Sequence, residues 1–248
     1  MNKIYVFATF TLISLVPAMS RAEDAGPNHF SANVALSTDY RFRGITQTNR
    51  DPAISGGFDY SNDTYGFYAG VWASNLDFNV PDPDQATMEL DYYGGFSGTV
   101  ANGIGWDISG IYYSYPGSNT GPGNASYDYF EIAGKLSHDF EKFSVDAGVN
   151  YSPDYFFESS DFVYVYGDVT VPLPQGFSLA GHVGHSSIKD NAQFGTPDYV
   201  DWKFGVSKEI GKFTFDVSYV DTDMNKAECF GGSNFCSATA VFSVSTSF

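Results

Sequence analysis

The chain ends in Ala240-Val241-Phe242-Ser243-Val244-Ser245-Thr246-Ser247-Phe248, and the period of this stretch decides the fold. Ala240, Phe242, Val244, Thr246 and Phe248 fall on one side of an extended segment. Val241, Ser243, Ser245 and Ser247 fall on the other. Successive side chains of a strand point to opposite faces, so one face here is apolar and the other mostly hydroxylated. Working back from this end, residues 213–219, 200–206, 177–183, 163–171, 143–151, 130–136, 106–112, 88–96, 67–73, 54–60 and 30–41 alternate in the same way, which makes 12 strands.

The connections between these strands alternate as well. Residues 61–66, 100–105, 138–142, 172–176 and 208–212 are short connections; 43–51, 77–86, 116–126, 152–161, 186–198 and 221–237 are long ones. An outer-membrane barrel has short periplasmic turns, long external loops and an even number of antiparallel strands. The fold read from the sequence is therefore all-β: a transmembrane antiparallel up-and-down β-barrel. A soluble sandwich or lipocalin-like barrel would bury a core rich in Leu and Ile, whereas Gly, Ala, Val, Tyr and Trp share the apolar face here. Tyr40, Tyr60, Tyr92, Tyr112, Tyr151 and Tyr219 fall at strand ends, where an interfacial girdle would lie.

The first 22 residues are set apart from this fold. Lys3 is followed by an apolar run over residues 4–16, and Ser20-Arg21-Ala22 places small residues before a cut after Ala22. This is the pattern of a secretory signal peptide, too short to span a bilayer. Residues 1–22 are expected to be the signal peptide and 23–248 one barrel domain, exported to the bacterial outer membrane. The mature chain keeps 10 basic residues against 29 acidic ones, which excludes nucleic acid as a partner. Aromatic residues are 18% of the chain, which excludes acidic disorder. Cys229 and Cys236 lie in the last long connection, and an oxidising compartment would pair them. The ring they close is short. It is expected to pin the outermost loop without reaching the barrel wall, and hence not to control a pore.

Strand parity turns Asp39, Asp59, Glu89, Asp91, Asp107, Glu131, Asp146, Asp168, Asp201 and Asp216 inward, together with Arg41, Arg43, Lys135 and Lys203. A charge on the lipid face would cost roughly 2–4 kcal/mol at mid-depth, so the parity is self-consistent. Two readings of this face stay open. One is a wet lumen whose ten acids against four bases favour cations. The other is a charge network that fills the barrel, with Tyr68, Trp72, Tyr93, Tyr113, Tyr164 and Tyr166 taking up room.

Arg41, Arg43 and Arg50 could fork an anionic solute or a lipopolysaccharide phosphate. Pairing with Asp39, Asp51 or Asp59 is the plainer alternative. Asp221-x-Asp223-x-Asn225 opens like a calcium loop, but Lys226 stands where Gly is needed and Gly232 where Glu is needed. His185 beside Ser186 and Ser187 is the one candidate for hydrolysis. Adjacent strand residues face opposite ways, however, so the pair is poorly aimed. No catalytic residue, cofactor or metal site is expected.

The segment Ser37-Thr38-Asp39-Tyr40-Arg41-Phe42-Arg43-Gly44-Ile45-Thr46-Gln47-Thr48 resembles the opening of the TorF-type porin family, bacterial outer-membrane proteins of unknown function. Pro52-Ala53-Ile54-Ser55-Gly56-Gly57, Gly66-Phe67-Tyr68-Ala69-Gly70-Val71-Trp72-Ala73-Ser74-Asn75, Glu89-Leu90-Asp91-Tyr92-Tyr93-Gly94-Gly95 and Tyr112-Tyr113-Ser114-Tyr115-Pro116-Gly117 fit the same family. The resemblance implies a porin-like barrel passing small polar solutes by diffusion, and brings no catalytic residues. The alternative is a non-conducting structural or adhesion barrel with partner-binding loops. The expected partners are outer-membrane lipid and lipopolysaccharide, the barrel-insertion machinery and small polar solutes. Phe248, ending the last strand, is the expected assembly signal.

Overall fold

In the computed structural model, which describes residues 26–79, 86–118 and 125–248, the alternating segments are strands. They are β1 (Asn28–Ser37), β2 (Ala53–Asn62), β3 (Phe67–Asn75), β4 (Met88–Thr99), β5 (Gly105–Ser114), β6 (Tyr129–Asp139), β7 (Ser144–Ser152), β8 (Phe162–Leu173), β9 (Phe177–Ile188), β10 (Tyr199–Ile210), β11 (Phe213–Thr222) and β12 (Thr239–Ser247). Each pairs antiparallel with its chain neighbours, and β12 returns to β1 to close the barrel. All 12 sequence-predicted strands are present. The expected signal peptide lies outside the described residues.

The closing seam is short. It pairs Asn33–Ser37 with Ser243–Ser247, whereas β1 and β2 are paired along their whole length. Phe248 extends the seam by one step: its amide donates to the Ala32 carbonyl at 2.9 Å, and the Ala32 amide donates back at 3.2 Å.

Period-2 alternation sets the two faces. Phe58, Ile108, Val165, Phe204 and Val217 stand on the outside, each more than half exposed. Covering such a side chain is worth roughly 1.5–3 kcal/mol, so a belt of them around the whole barrel is a surface built for lipid. The opposite face carries the charged and hydroxyl residues and is largely buried.

Above this belt, three girdle tyrosines hold aspartates at or just beyond the strand ends. Tyr112 donates to Asp128 at 3.0 Å, Tyr151 to Asp161 at 3.0 Å and Tyr219 to Asp221 at 2.8 Å. Their rings face out and their hydroxyls reach the polar loops, which suits an apolar–polar boundary. Tyr40 departs from the expected girdle. It is 1% exposed and its ring lies 5.4 Å from that of Trp72, inside the barrel.

The first strand also departs from its sequence reading. It ends at Ser37, and residues beyond it leave the wall. Arg41–Phe42 pairs with Ile45–Thr46 as a separate small hairpin. The first long connection is thus not an external loop throughout, because its start folds inward.

Candidate functional site: the barrel interior and its hairpin

The hairpin turns at Arg43 and Gly44, whose φ values are 48° and 80°. Two successive left-handed residues twist a two-residue turn to match its strands, and Gly takes that conformation without strain. Gly44 is needed for space as well. A Cβ there would stand 2.5 Å from Thr222 Cγ2 and 2.9 Å from Asp201 Cβ, on β11 and β10.

From this turn Arg43 crosses to β6. Its Nη1 and Nη2 donate to Glu131 Oε1 and Oε2 at 2.7 and 2.8 Å, a bidentate fork between two buried groups. The guanidinium stacks over Phe42, Phe162 and Tyr164 at 4.5, 4.7 and 4.5 Å. Phe42 meets Tyr113 of β5 at 5.8 Å. The hairpin therefore touches the wall at β3, β5, β6, β8, β10 and β11, and it spans the outer half of the interior.

The stem is fixed from below and above. Asp39 accepts from Arg41 Nε at 2.6 Å and from Thr46 Oγ1 at 2.5 Å. Arg41 Nη1 donates to the carbonyls of Phe235 at 2.8 Å and Ser237 at 3.2 Å, and the Thr46 amide donates to Phe235 at 3.1 Å. Phe235 and Ser237 flank Cys236, which is disulfide-bonded to Cys229. The Thr222 hydroxyl on β11 donates to the Cys236 carbonyl at 2.9 Å. The expectation that this loop stays clear of the barrel wall is thereby corrected. The disulfide loop clasps the hairpin and the wall together, because its backbone carbonyls are what Arg41 and Thr222 use for partners.

Arg41 and Arg43 are buried on this hairpin, and Asp39 on the stem before it, instead of on β1. The phosphate-gripping reading of Arg41 and Arg43 is overturned, since both are enclosed. Arg41 takes the plainer pairing with Asp39. Arg43 takes Glu131, 88 residues away, a partner that the sequence reading did not name. Arg50 donates to the Ala238 carbonyl at 3.0 Å near the rim.

Below the hairpin, one wall carries charge of both signs. Asp107 is paired in register with Lys135, Asp146 with Asp168, Asp168 with His182, and His182 with Lys203. His182 joins two acids, with Nδ1 2.7 Å from Asp168 and Nε2 3.2 Å from Asp201, and the Tyr164 hydroxyl lies 2.8 Å from Nε2. Hydroxyls answer other acids: Tyr68 donates to Asp107 at 3.0 Å, Tyr93 to Asp59, and Ser218 to Asp216 at 2.5 Å. Glu89 and Asp91 lie higher on β4, buried against the hairpin stem. On β12, Ser243 and Ser245 are buried on the inner face, with Ser243 in register with Asp216 of β11.

A cavity of about 570 Å³, including its open side, lies between hairpin and wall. Arg41, Arg43, His182, Asp201, Lys203 and Asp216 line it. The Tyr164–His182–Asp168 cluster was not foreseen. Asp168 and His182 are 14 residues apart on neighbouring strands, and only the register brings them together.

The other candidate residues have simple roles. His185 is exposed and the adjacent Ser186 is buried, so the two face opposite ways. Asp223 accepts from the Val200 amide and Asn225 from the Ala227 amide, so the calcium-like run serves as turn caps.

A family model described as "Bacterial protein of unknown function (Gcw_chp)" matches residues 21–248. The chain belongs to the Gcw_chp family. No curated relative matches it. Among solved structures, the KdgM porin superposes with a TM-score of 0.57 at 7% identity, over 88% of this chain and 99% of that one. The NanC porin gives 0.55 at 10% identity, over 88% and 98%. An outer-membrane channel from Pseudomonas putida F1 gives 0.51 at 10% identity, over 93% and 98%. At these identities the likeness is one of fold: this family member shares the barrel of outer-membrane porins and channels.

Proposed function

We propose that this Gcw_chp member is a passive outer-membrane channel for small polar solutes, narrowed at its outer mouth by the Arg41–Thr46 hairpin and selective for cations. The observation that carries this reading is the wall itself: a closed barrel, apolar outside and lined inside with ionisable and hydroxyl groups. The porin-like neighbours and the TorF-type motifs support the same reading. Ten inward acids against four inward bases leave the interior negative, and low-dielectric walls focus such a field. In this reading the chain is exported by its signal peptide, inserted by the barrel-assembly machinery at its Phe248 end, and surrounded by outer-membrane lipid and lipopolysaccharide. Its work is passage rather than catalysis.

The hairpin gives a second reading its support. A loop locked across the outer half by a buried ion pair suits a closed structural barrel whose external loops bind a partner. Reversal potential across a planar bilayer in a salt gradient separates the two. A cation-selective potential that fades as screening shortens to roughly 3 Å at 1 M salt supports the channel. An anion-selective potential contradicts the lumen assignment, and no current at all supports the closed barrel.

A further inference from the structure

Glu89 and Asp91 stand two residues apart on β4 and so share its inner face. They are 1% and 0% exposed. Among the described residues, Glu89 has one hydrogen bond, accepted by Oε1 from the Tyr115 hydroxyl at 3.3 Å. Its Oε2 and both oxygens of Asp91 have no partner. A third carboxylate, Glu131, repels Asp91 as Glu89 does, but Glu131 is already matched by Arg43. The Tyr40 hydroxyl arrives from a different element, the hairpin stem. It is itself buried without a well-formed hydrogen bond, and it faces the same two acids, Glu89 foremost.

Two carboxylates side by side and out of water are unstable unless a counter-charge joins them. A proton would neutralise one oxygen and leave the remaining lone pairs dry. A metal ion draws on all of them at once. The available donors are carboxylate and phenol oxygens, with no nitrogen or sulfur among them, which selects a hard cation. The pair's two negative charges match one divalent ion. Calcium accepts irregular sets of oxygens completed by water, whereas magnesium demands a near-ideal octahedron.

We propose that Glu89 and Asp91, with the hydroxyls of Tyr40 and Tyr115, form a calcium site inside the outer half of the barrel. An ion there ties the hairpin stem to β4, beside the Arg43–Glu131 fork. Binding needs no flow through the barrel, so the site stands or falls separately from the channel reading.

The test is calorimetric titration of the refolded, EDTA-treated full-length barrel with calcium chloride, run alongside thermal unfolding. The wild type should show a binding event that Asp91→Asn abolishes and Glu89→Gln weakens by about tenfold or more, since affinity follows the charged ligand count. Asp223→Asn, in the turn-capping run, should retain it. In EDTA, Asp91→Asn should melt above the wild type because the repulsion is gone, and calcium should raise only the wild type. This second readout also shows that the variant folds. Equal calcium heats for wild type and Asp91→Asn would overturn the site. So would a wild-type barrel that calcium leaves unmoved while acidification in EDTA stabilises it, which would assign the pair to a shared proton.

Discussion

The outer and inner halves of the barrel interior satisfy their charges in different ways. In the outer half a piece of the chain itself is the partner: Arg43 reaches Glu131, and Arg41 reaches Asp39 and the carbonyls of the disulfide loop. In the inner half the partners are neighbouring strands, as with His182 between Asp168 and Asp201, or simple hydroxyls, as with Tyr68 on Asp107. The outer arrangement is long-range and enclosed. The inner one is a lining of contacts between neighbouring strands, joined to the hairpin where Tyr164 meets both His182 and Arg43. A barrel built this way has an outer half bridged by its own chain and an inner wall paired strand to strand.

The largest effect is expected from Arg43→Ala. It leaves Glu131 buried without its charge partner, and such a break costs about 3–5 kcal/mol. The urea midpoint should fall accordingly, and single-channel conductance should rise as the hairpin comes loose. Changing both partners to Leu should restore most of the stability, because no lone charge is left. An Arg43→Ala barrel that is as stable as the wild type would erase the distinction between the two halves.

Next in size is the disulfide. Replacing Cys229 and Cys236 by Ser removes roughly 2–3 kcal/mol of loop constraint. The loop clasps the hairpin, so current noise and mean conductance should both increase under reductant. Traces unchanged by reduction would show that the Arg41 bonds to Phe235 and Ser237 hold without the bridge.

Deleting Phe248 acts on the seam instead of the mouth. Two backbone hydrogen bonds to Ala32 are lost, at about 1 kcal/mol each. The yield of heat-modifiable barrel in the membrane fraction should drop, while export continues. Normal yield would show that the five paired steps from Asn33 to Ser37 suffice for closure.

The twelve strands were legible because side-chain period is local: each segment carries its own apolar face. The hairpin was hidden by the same signal. Asp39, Arg41 and Arg43 continue the polar alternation of β1, so parity cannot mark where the chain leaves the wall. The Arg43-Gly44 pair, flanked by Phe42 and Ile45, was the local trace of a tight turn. Its destination depended on Glu131, 88 residues on, and no local pattern carries that. Inward charges could likewise be read as a set, but their partners could not, since Asp168 meets His182 only through strand register.

The smallest effect belongs to the exposed rim. Lys189 Nζ donates to Asp161 at 2.6 Å, and this bond, with a second from Tyr151, holds the Asp161 carboxyl below the usual carboxylate range. A depressed carboxyl stabilises fully above its unfolded pKa, and loses that contribution as the pH falls through its lower folded value. Lys189→Ala should therefore shift the Tm only slightly at neutral pH, and not at all once the pH is below that range. A large shift would mean that the rim carries load assigned here to the hairpin.

The most direct test is single-channel conductance of the wild-type barrel against one in which residues 41–46 are replaced by a short Gly-Ser linker. A small cation-selective conductance that grows severalfold on removing the hairpin is the expected result. Equal conductance in the two barrels, or none in either, would contradict a channel narrowed by its own hairpin.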